Sequence, residues 1–230
     1  MTPLKSSLLE PDQHHIRHGF FTKQGDTLEA VAAAFEVPLS SVVRCEQIHS
    51  ADVVTVTEPW LDEARPEADA LVTDQRGIVL AVRTADCGPV LLADPVAGVI
   101  AVAHAGWRGA KAGIIVRTLE AMIQKGAEPA RVIGIVGPCI GPQSYEVDAE
   151  FRHNFLEDDQ DNERFFVPAK RLTHFMFNLP AYIVMKLEAA GIGHKESLPY
   201  DTCQDEARFY SHRRACDKGR QFSAIMMTGA

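Results

Sequence analysis

Between Ile114 and Ile123 the apolar positions keep to one side of a helix. Ile114, Ile115, Leu119, Met122 and Ile123, with Thr118 among them, recur at helical spacing, and Gly126 stands where such a helix stops. The Ala-rich run Leu28–Phe35 predicts a second helix, ending ahead of Pro38. Asn178-Leu179-Pro180 opens a third, reaching Ala190 with Gly191 behind it. Elsewhere the apolar runs are short, β-branched and cut by turn residues such as Gly77, Gly88-Pro89, Pro95 and Gly98. Strands are predicted over His15–Thr22, Val53–Val56, Ala70–Thr73, Ile78–Val82, Val90–Ala93, Val99–Ala103, Arg131–Val136 and Gln221–Met227, and Arg44–Ile48 is a further strand-like run. Roughly nine strands and four helices, unevenly interleaved, predict an α+β fold rather than a regular βαβ alternation.

Composition bounds this picture. The 230 residues are expected to form one domain, 1–230, long enough to bury roughly 70% of the unfolded surface without disulfides or metal. A net charge of −8 argues against a general nucleic-acid or anionic-membrane binder, but leaves room for a locally basic site. Cys45, Cys87, Cys139, Cys203 and Cys216 are scattered, with no CxxC pair, which suggests a reducing compartment. Met1–Gln13 lacks the pattern of a signal peptide, and the apolar stretch Cys87–Trp107 is broken by Asp94, Pro89, Pro95 and His104. A cytoplasmic location is expected. The acidic run Glu157–Glu163 is expected to be a solvated loop.

Among the nine histidines, His14, His15 and His18 fit no compact metal motif and read as surface or packing residues. His49 and His104 differ, because each ends a strand-like run and enters a turn, where rigid elements present functional side chains. The segment Ala103-His104-Ala105-Gly106-Trp107-Arg108-Gly109 runs from a strand through a glycine turn toward a helix. Arg108 and that helix start fit an anion site; a tight turn with a core Trp and a surface Arg fits equally. Cys87 follows Asp86 at another strand end. Two readings of these residues stand side by side. His49, Cys87 and His104, if they converge, are the ligand set of an open zinc site. Alternatively, Cys87 is a nucleophile with His104 as its base. No HExxH, P-loop, GxGxxG or GxSxG motif competes with them.

At these same segments the chain resembles a known family. HGFFTK (His18–Lys23), CEQIHSADV (Cys45–Val53), ADALVTD (Ala68–Asp74), RTADCGPVLLADP (Arg83–Pro95) and GVIAVAHAGWRG (Gly98–Gly109) carry the likeness. It continues through GPCIGPQSYEV (Gly137–Val147), DTC (Asp201–Cys203) and FYSHRR with Gly219, Arg220 and Ser223. These stretches resemble the laccase-domain family, formerly called multicopper polyphenol oxidoreductases, whose members are described as zinc-dependent purine nucleoside phosphorylases with adenosine deaminase activity.

The resemblance implies an α/β/β/α four-layer sandwich of mixed sheets, with His49, Cys87 and His104 as the metal ligands. It implies zinc as cofactor. Copper is disfavoured, because multicopper electron transfer needs more clustered histidines than the chain offers. A purine nucleoside and phosphate are the expected small-molecule partners, with no nucleic acid and no membrane. Arg108 is the expected phosphate contact, and Gln47 and Asp69 are expected contacts to base or ribose. Asp86 is expected to exchange protons or to orient a ligand histidine, with a turn-capping role equally open. Some relatives are described as peptidoglycan-precursor editing factors, which keeps a Cys87–His104 amidase as the alternative, ahead of a non-catalytic structural-zinc protein. One departure is visible: the Gly-rich segment that family members carry after the FFT strand is shortened here, and Gly25-Asp26 leads almost directly into a helix.

Overall fold

The strands Gly88–Asp94 and Val99–Ala105 are buried along their whole length, which is why they are apolar at most positions. They form the centre of the fold in a computed structural model that describes residues 2–9, 15–215 and 219–229. In chain order the elements are β1 (Ile16–Phe20), α1 (Leu28–Phe35), β2 (Val42–Val43), β3 (Val53–Thr55), β4 (Ala70–Thr73), β5 (Val79–Thr84), β6 (Gly88–Asp94), β7 (Val99–Ala105), α2 (Trp107–Ala112) and α3 (Ile114–Gln124). There follow β8 (Ile133–Val136), β9 (Glu146–Asp148), α4 (Ala149–Asp158), β10 (Phe166–Pro168), β11 (His174–Phe177), α5 (Leu179–Ala189), β12 (His194–Ser197), α6 (His212–Ala215) and β13 (Gln221–Met227).

Two mixed sheets stack face to face. One has the order β1-β13-β5-β2, the other β12-β8-β6-β7-β4-β3. The two-residue period of the strands assigns each side chain to a layer. In β5, Leu80 and Val82 point into the core between the sheets, where they meet Leu91, Ile100 and Val102 of the other sheet. Val79 and Ala81 point the opposite way, onto Val31 and Phe35 of α1. In β7, Ala101, Ala103 and Ala105 face outward onto Ile115 and Leu119 of α3 and Ile183 of α5. The layers are therefore helix, sheet, sheet, helix, as the resemblance implies. A small third sheet, β10-β11-β9, packs with α4 around the rings of Phe151, Phe155, Phe166 and Phe177.

Local chemistry explains the helix ends. Thr27 caps α1 by accepting from the Ala30 amide at 3.2 Å, and Asn178 caps α5 by accepting from the Ala181 amide at 3.1 Å, each worth about 1 kcal/mol. Gly126 and Gly191, at φ of +96° and +79°, adopt the left-handed conformation that ends α3 and α5.

The structure corrects several expectations. Thirteen strands and six α-helices are present among the described residues, more than the periodicity predicts. Arg44–Ile48 is not a strand, and Glu46 makes only an isolated bridge to Glu67. The run Glu157–Glu163 is not an open loop. It covers the end of α4 and a 3-10 turn, Gln160–Phe165, where buried Asn162 donates to the Phe155 carbonyl at 2.9 Å. His18 is a packing residue, buried and accepting from the Ser6 amide at 2.8 Å. His14 and Cys216 lie outside the described residues. No helix among the described residues is long and apolar enough to cross a membrane.

Candidate metal and active site

The hairpin of β6 and β7 sets Gly88 opposite Ala105 and Pro89 opposite His104. Cys87 and His104 therefore emerge at the same end of adjacent strands. The turn leading into Cys87 passes through Asp86 at φ +83°, a conformation costly for a residue with a side chain. Three bonds hold it there: Asp86 Oδ1 accepts from Thr202 Oγ1 (2.7 Å), and Oδ2 accepts from Ser211 Oγ (3.1 Å) and the Arg213 amide (2.7 Å).

His49 arrives from a different direction, on the loop between β2 and β3, itself at φ +62°. This loop is clamped on both sides of the histidine. The Gln47 amide group donates to the Arg83 carbonyl and accepts from the Arg83 amide, both at 2.8 Å. Asp69 Oδ2 accepts from the Ser50 amide (2.5 Å), Ser50 Oγ (3.0 Å) and the Ile48 amide (3.3 Å). The His49 and His104 rings meet edge to face, with centroids 4.8 Å apart.

Both glycines of the HAGWRG segment have a job here. A Cβ on Gly106 would lie 2.9 Å from Cys87 Sγ and 3.6 Å from the His49 ring, and a Cβ on Gly109 would lie 2.9 Å from the Ser50 carbonyl. Only hydrogen at these two positions lets the start of α2 sit against the cysteine and the His49 loop.

The result is a cluster in which one donor atom each of His49, Cys87 and His104 lies within 4.8 Å of the others. His49 is exposed, Cys87 half-buried and His104 buried. Asp69 stands directly behind His104. Its Oδ1 lies 2.7 Å from His104 Nδ1, and it is itself fully buried. Burial would raise the Asp69 carboxyl, but hydrogen bonds from His104 and Ser50 outweigh it and hold the acid below the usual carboxylate range. An ionised Asp69 accepts only, so His104 Nδ1 carries the proton and Nε2 is the nitrogen free to ligate.

Burial would likewise raise the Cys87 thiol, yet hydrogen bonds and charge from His104 and His49 bring it down to about 6. His104 moves upward, its burial outweighed by Asp69 and Cys87. Cys45 behaves oppositely, pushed up to about 12 chiefly by burial, and burial also raises Cys139. Cys87 is thus a thiolate donor beside two imidazoles. The donor set fits a borderline-soft divalent cation, with a histidine oriented through its second ring nitrogen.

The cluster opens into a cavity of about 700 Å³, walled in part by Trp107 and Tyr145. Arg108 lies on this wall, its guanidinium 4.6 Å from the Trp107 ring centroid. The helix behind it is the six-residue α2, and Gly113 at φ +93° separates it from α3, so Arg108 does not sit at the start of the long helix. Asp69 is not among the residues that line this cavity, and its carboxylate is bonded to His104 and to the loop that carries His49. The orienting role expected of Asp86 falls to Asp69, whereas Asp86 anchors the chain at Thr202, Ser211 and Arg213. Gln47 lines the cavity with both ends of its amide already bonded to Arg83.

Tyr145, Arg44, Arg83, Arg213 and Arg220 also line this cavity and were not singled out individually from sequence. Arg83 carried a signal, as the one charge in β5, after the apolar run of residues 79–82.

Residues 25–228 match the family model described as multi-copper polyphenol oxidoreductase laccase. A protein of Rickettsia prowazekii (strain Madrid E) named purine nucleoside phosphorylase is 36% identical over 188 residues, spanning 82% of this chain and 76% of its own. A Deinococcus radiodurans protein of the same name is 39% identical over 202 residues, spanning 85% and 74%. Among solved structures, a Neisseria meningitidis protein is similar over 100% of both chains, with a TM-score of 0.88 and 27% identity. The Bacillus licheniformis hypothetical protein YfiH is similar over 94% of both, with a TM-score of 0.86 and 26% identity.

Proposed function

Because the chain belongs to the multi-copper polyphenol oxidoreductase laccase family, we propose that it is a purine nucleoside phosphorylase with adenosine deaminase activity that holds zinc through His49, Cys87 and His104. The observation that carries this reading is the three-donor cluster facing a cavity of nucleoside size. Relatives over 35% identical bear the phosphorylase name, which favours it above the amidase alternative. Zinc bound there would supply a Lewis acid and a site where water is acidified toward neutral pKa.

The chain's own residues divide the remaining tasks. Asp69 fixes the His104 tautomer and ring plane, and Cys87 contributes the negative charge of a thiolate. Trp107 and Tyr145 offer flat apolar surface for a purine, and Arg108, lying over Trp107, offers planar donors at the same wall. Three donors leave room for a fourth group, whereas structural zinc sites are closed by four.

Product analysis tests the proposal. Adenosine and inosine are incubated with metal-quantified protein, with and without phosphate. Free base and ribose 1-phosphate formed only with phosphate, and inosine formed from adenosine without it, are expected. Absence of both products from zinc-loaded protein overturns the reading.

A further inference from the structure

Three neighbouring chain segments bring arginines to one end of the four-stranded sheet. Arg44 follows β2, which runs parallel to β5 with Val43 opposite Leu80. Arg83 stands at the end of β5, opposite Phe222 of β13, and Arg220 immediately precedes β13, whose Gln221 lies opposite Thr84. All three arginines line the cavity that holds the His49–Cys87–His104 cluster.

Their charges crowd one another. Burial lowers the Arg83 guanidinium from its usual value, and the charges of Arg44 and Arg220 lower it further. Asp62 pairs with Arg44 of this wall and with Arg65, and Glu46 pairs with Arg65. Arg83 makes no ion pair among the described residues; its guanidinium lies 5.5 Å from the Phe222 ring centroid.

A second observation is independent of charge. Five buried side-chain polar atoms in the described residues lack a hydrogen-bond partner, and three of them belong to this wall: Arg44 Nε, Arg83 Nε and Thr84 Oγ1. Thr84 is only 2% exposed. Unpartnered buried donors are costly, and three within residues that line one cavity, beside clustered arginines, describe the complement of a ligand with several acceptor oxygens.

We propose that Arg44, Arg83, Thr84 and Arg220 form a subsite for a tetrahedral oxyanion, inorganic phosphate, delivered to the nucleoside in the adjoining part of the cavity. The inference rests on the phosphorylase reading and relocates the anion from Arg108. In the reaction it serves, an oxygen of hydrogen phosphate forms a bond to C1′ as the bond from C1′ to the purine nitrogen breaks. The electron pair of that bond stays on the purine, which takes the phosphate proton, and ribose 1-phosphate is released.

The test uses zinc-loaded protein and two variants, Arg83→Gln and the near-isosteric Thr84→Val. Inorganic phosphate should raise the Tm of the parent protein above that in chloride of equal ionic strength, and this rise should shrink in both variants. The phosphate KM should increase roughly ten- to a hundredfold, with the nucleoside KM little changed. If Arg83→Gln does not fold, Thr84→Val alone decides the matter. A phosphate KM unchanged in the variants, or raised only by Arg108→Ala, overturns the subsite and leaves the phosphorylase reading intact. A Tm rise with adenosine 5′-monophosphate but none with inorganic phosphate also overturns it, by assigning the wall to a nucleotide. Should no nucleoside be phosphorolysed, a phosphate-dependent Tm rise lost in both variants still supports the subsite while the phosphorylase reading falls.

Discussion

Asp69 and His104 are cross-strand neighbours whose side chains and main chains are both joined. Asp69 Oδ1 meets His104 Nδ1 at 2.7 Å, and the His104 amide donates to the Asp69 carbonyl at 2.7 Å. The same carboxylate fixes the loop carrying His49 through Ser50 and Ile48. One buried acid thus sets the position of two of the three donor side chains.

Asp69→Asn should therefore weaken zinc binding by about 10- to 100-fold, the usual loss when the partner of a ligating histidine is changed. Chelator competition on folded variant protein measures it. Zinc affinity equal to that of the parent would mean that Asp69 serves the fold alone.

Purified protein should carry about one zinc per chain, and Cys87→Ala or His104→Ala should lose both metal and activity. Elemental analysis alongside nucleoside turnover decides this. Full activity in metal-free protein would instead favour the thiol chemistry of Cys87 and His104.

Gly106→Ala keeps an ordinary backbone conformation, at φ −62°, but its methyl would sit 2.9 Å from Cys87 Sγ. Zinc affinity should fall by about tenfold or more, as when a group that orients a ligand is displaced. Because Gly106 is placed against the cysteine and His49, the Tm of the metal-free protein should change less than that of the zinc-bound protein. A uniform loss of Tm in both forms would place the strain in the fold instead.

Asp94 gives the pH dependence a sign. It is fully buried, and its carboxylate accepts from the Val96, Ala97 and Glu128 amides and from Arg131. Burial raises its pKa, but Arg131 and the amides outweigh that and lower it below the ordinary value. A lowered folded-state pKa stabilises the protein above the unfolded value, about 3.9, and that contribution is lost as pH falls through the folded value. Asp94→Asn should cost about 1–3 kcal/mol at neutral pH, and the gap from the parent should close in strong acid. Urea melts across pH measure it; a gap independent of pH would contradict the assignment.

Much of this was legible in the chain. The helix at Leu28–Phe35 and the strand at Gln221–Met227 match their predicted limits, because strong periodicity and clear punctuation coincide there. The strands β9, β10 and β11 were not, since three or four half-exposed residues leave no alternation to read. Within the site, the ligand candidates stood out because unusual residues meet strand ends. The bond from Asp69 to His104 was not legible, because what Asp69 touches depends on the register of β4 against β7, which no local pattern encodes. The arginine wall was hidden for the same reason: Arg44, Arg83 and Arg220 are distant in sequence and become neighbours only through sheet order.

That sheet order also bears on how the chain is made. β13 lies between β1 and β5, so β1 has no neighbouring strand in its sheet until residues 221–227 have emerged from the ribosome. β1 and one edge of β5 must wait through nearly the whole of translation for the strand that joins them, a long exposure for backbone that ends inside a sheet. The β6–β7 hairpin, by contrast, closes locally and can bring Cys87 and His104 together while the nascent chain is still growing.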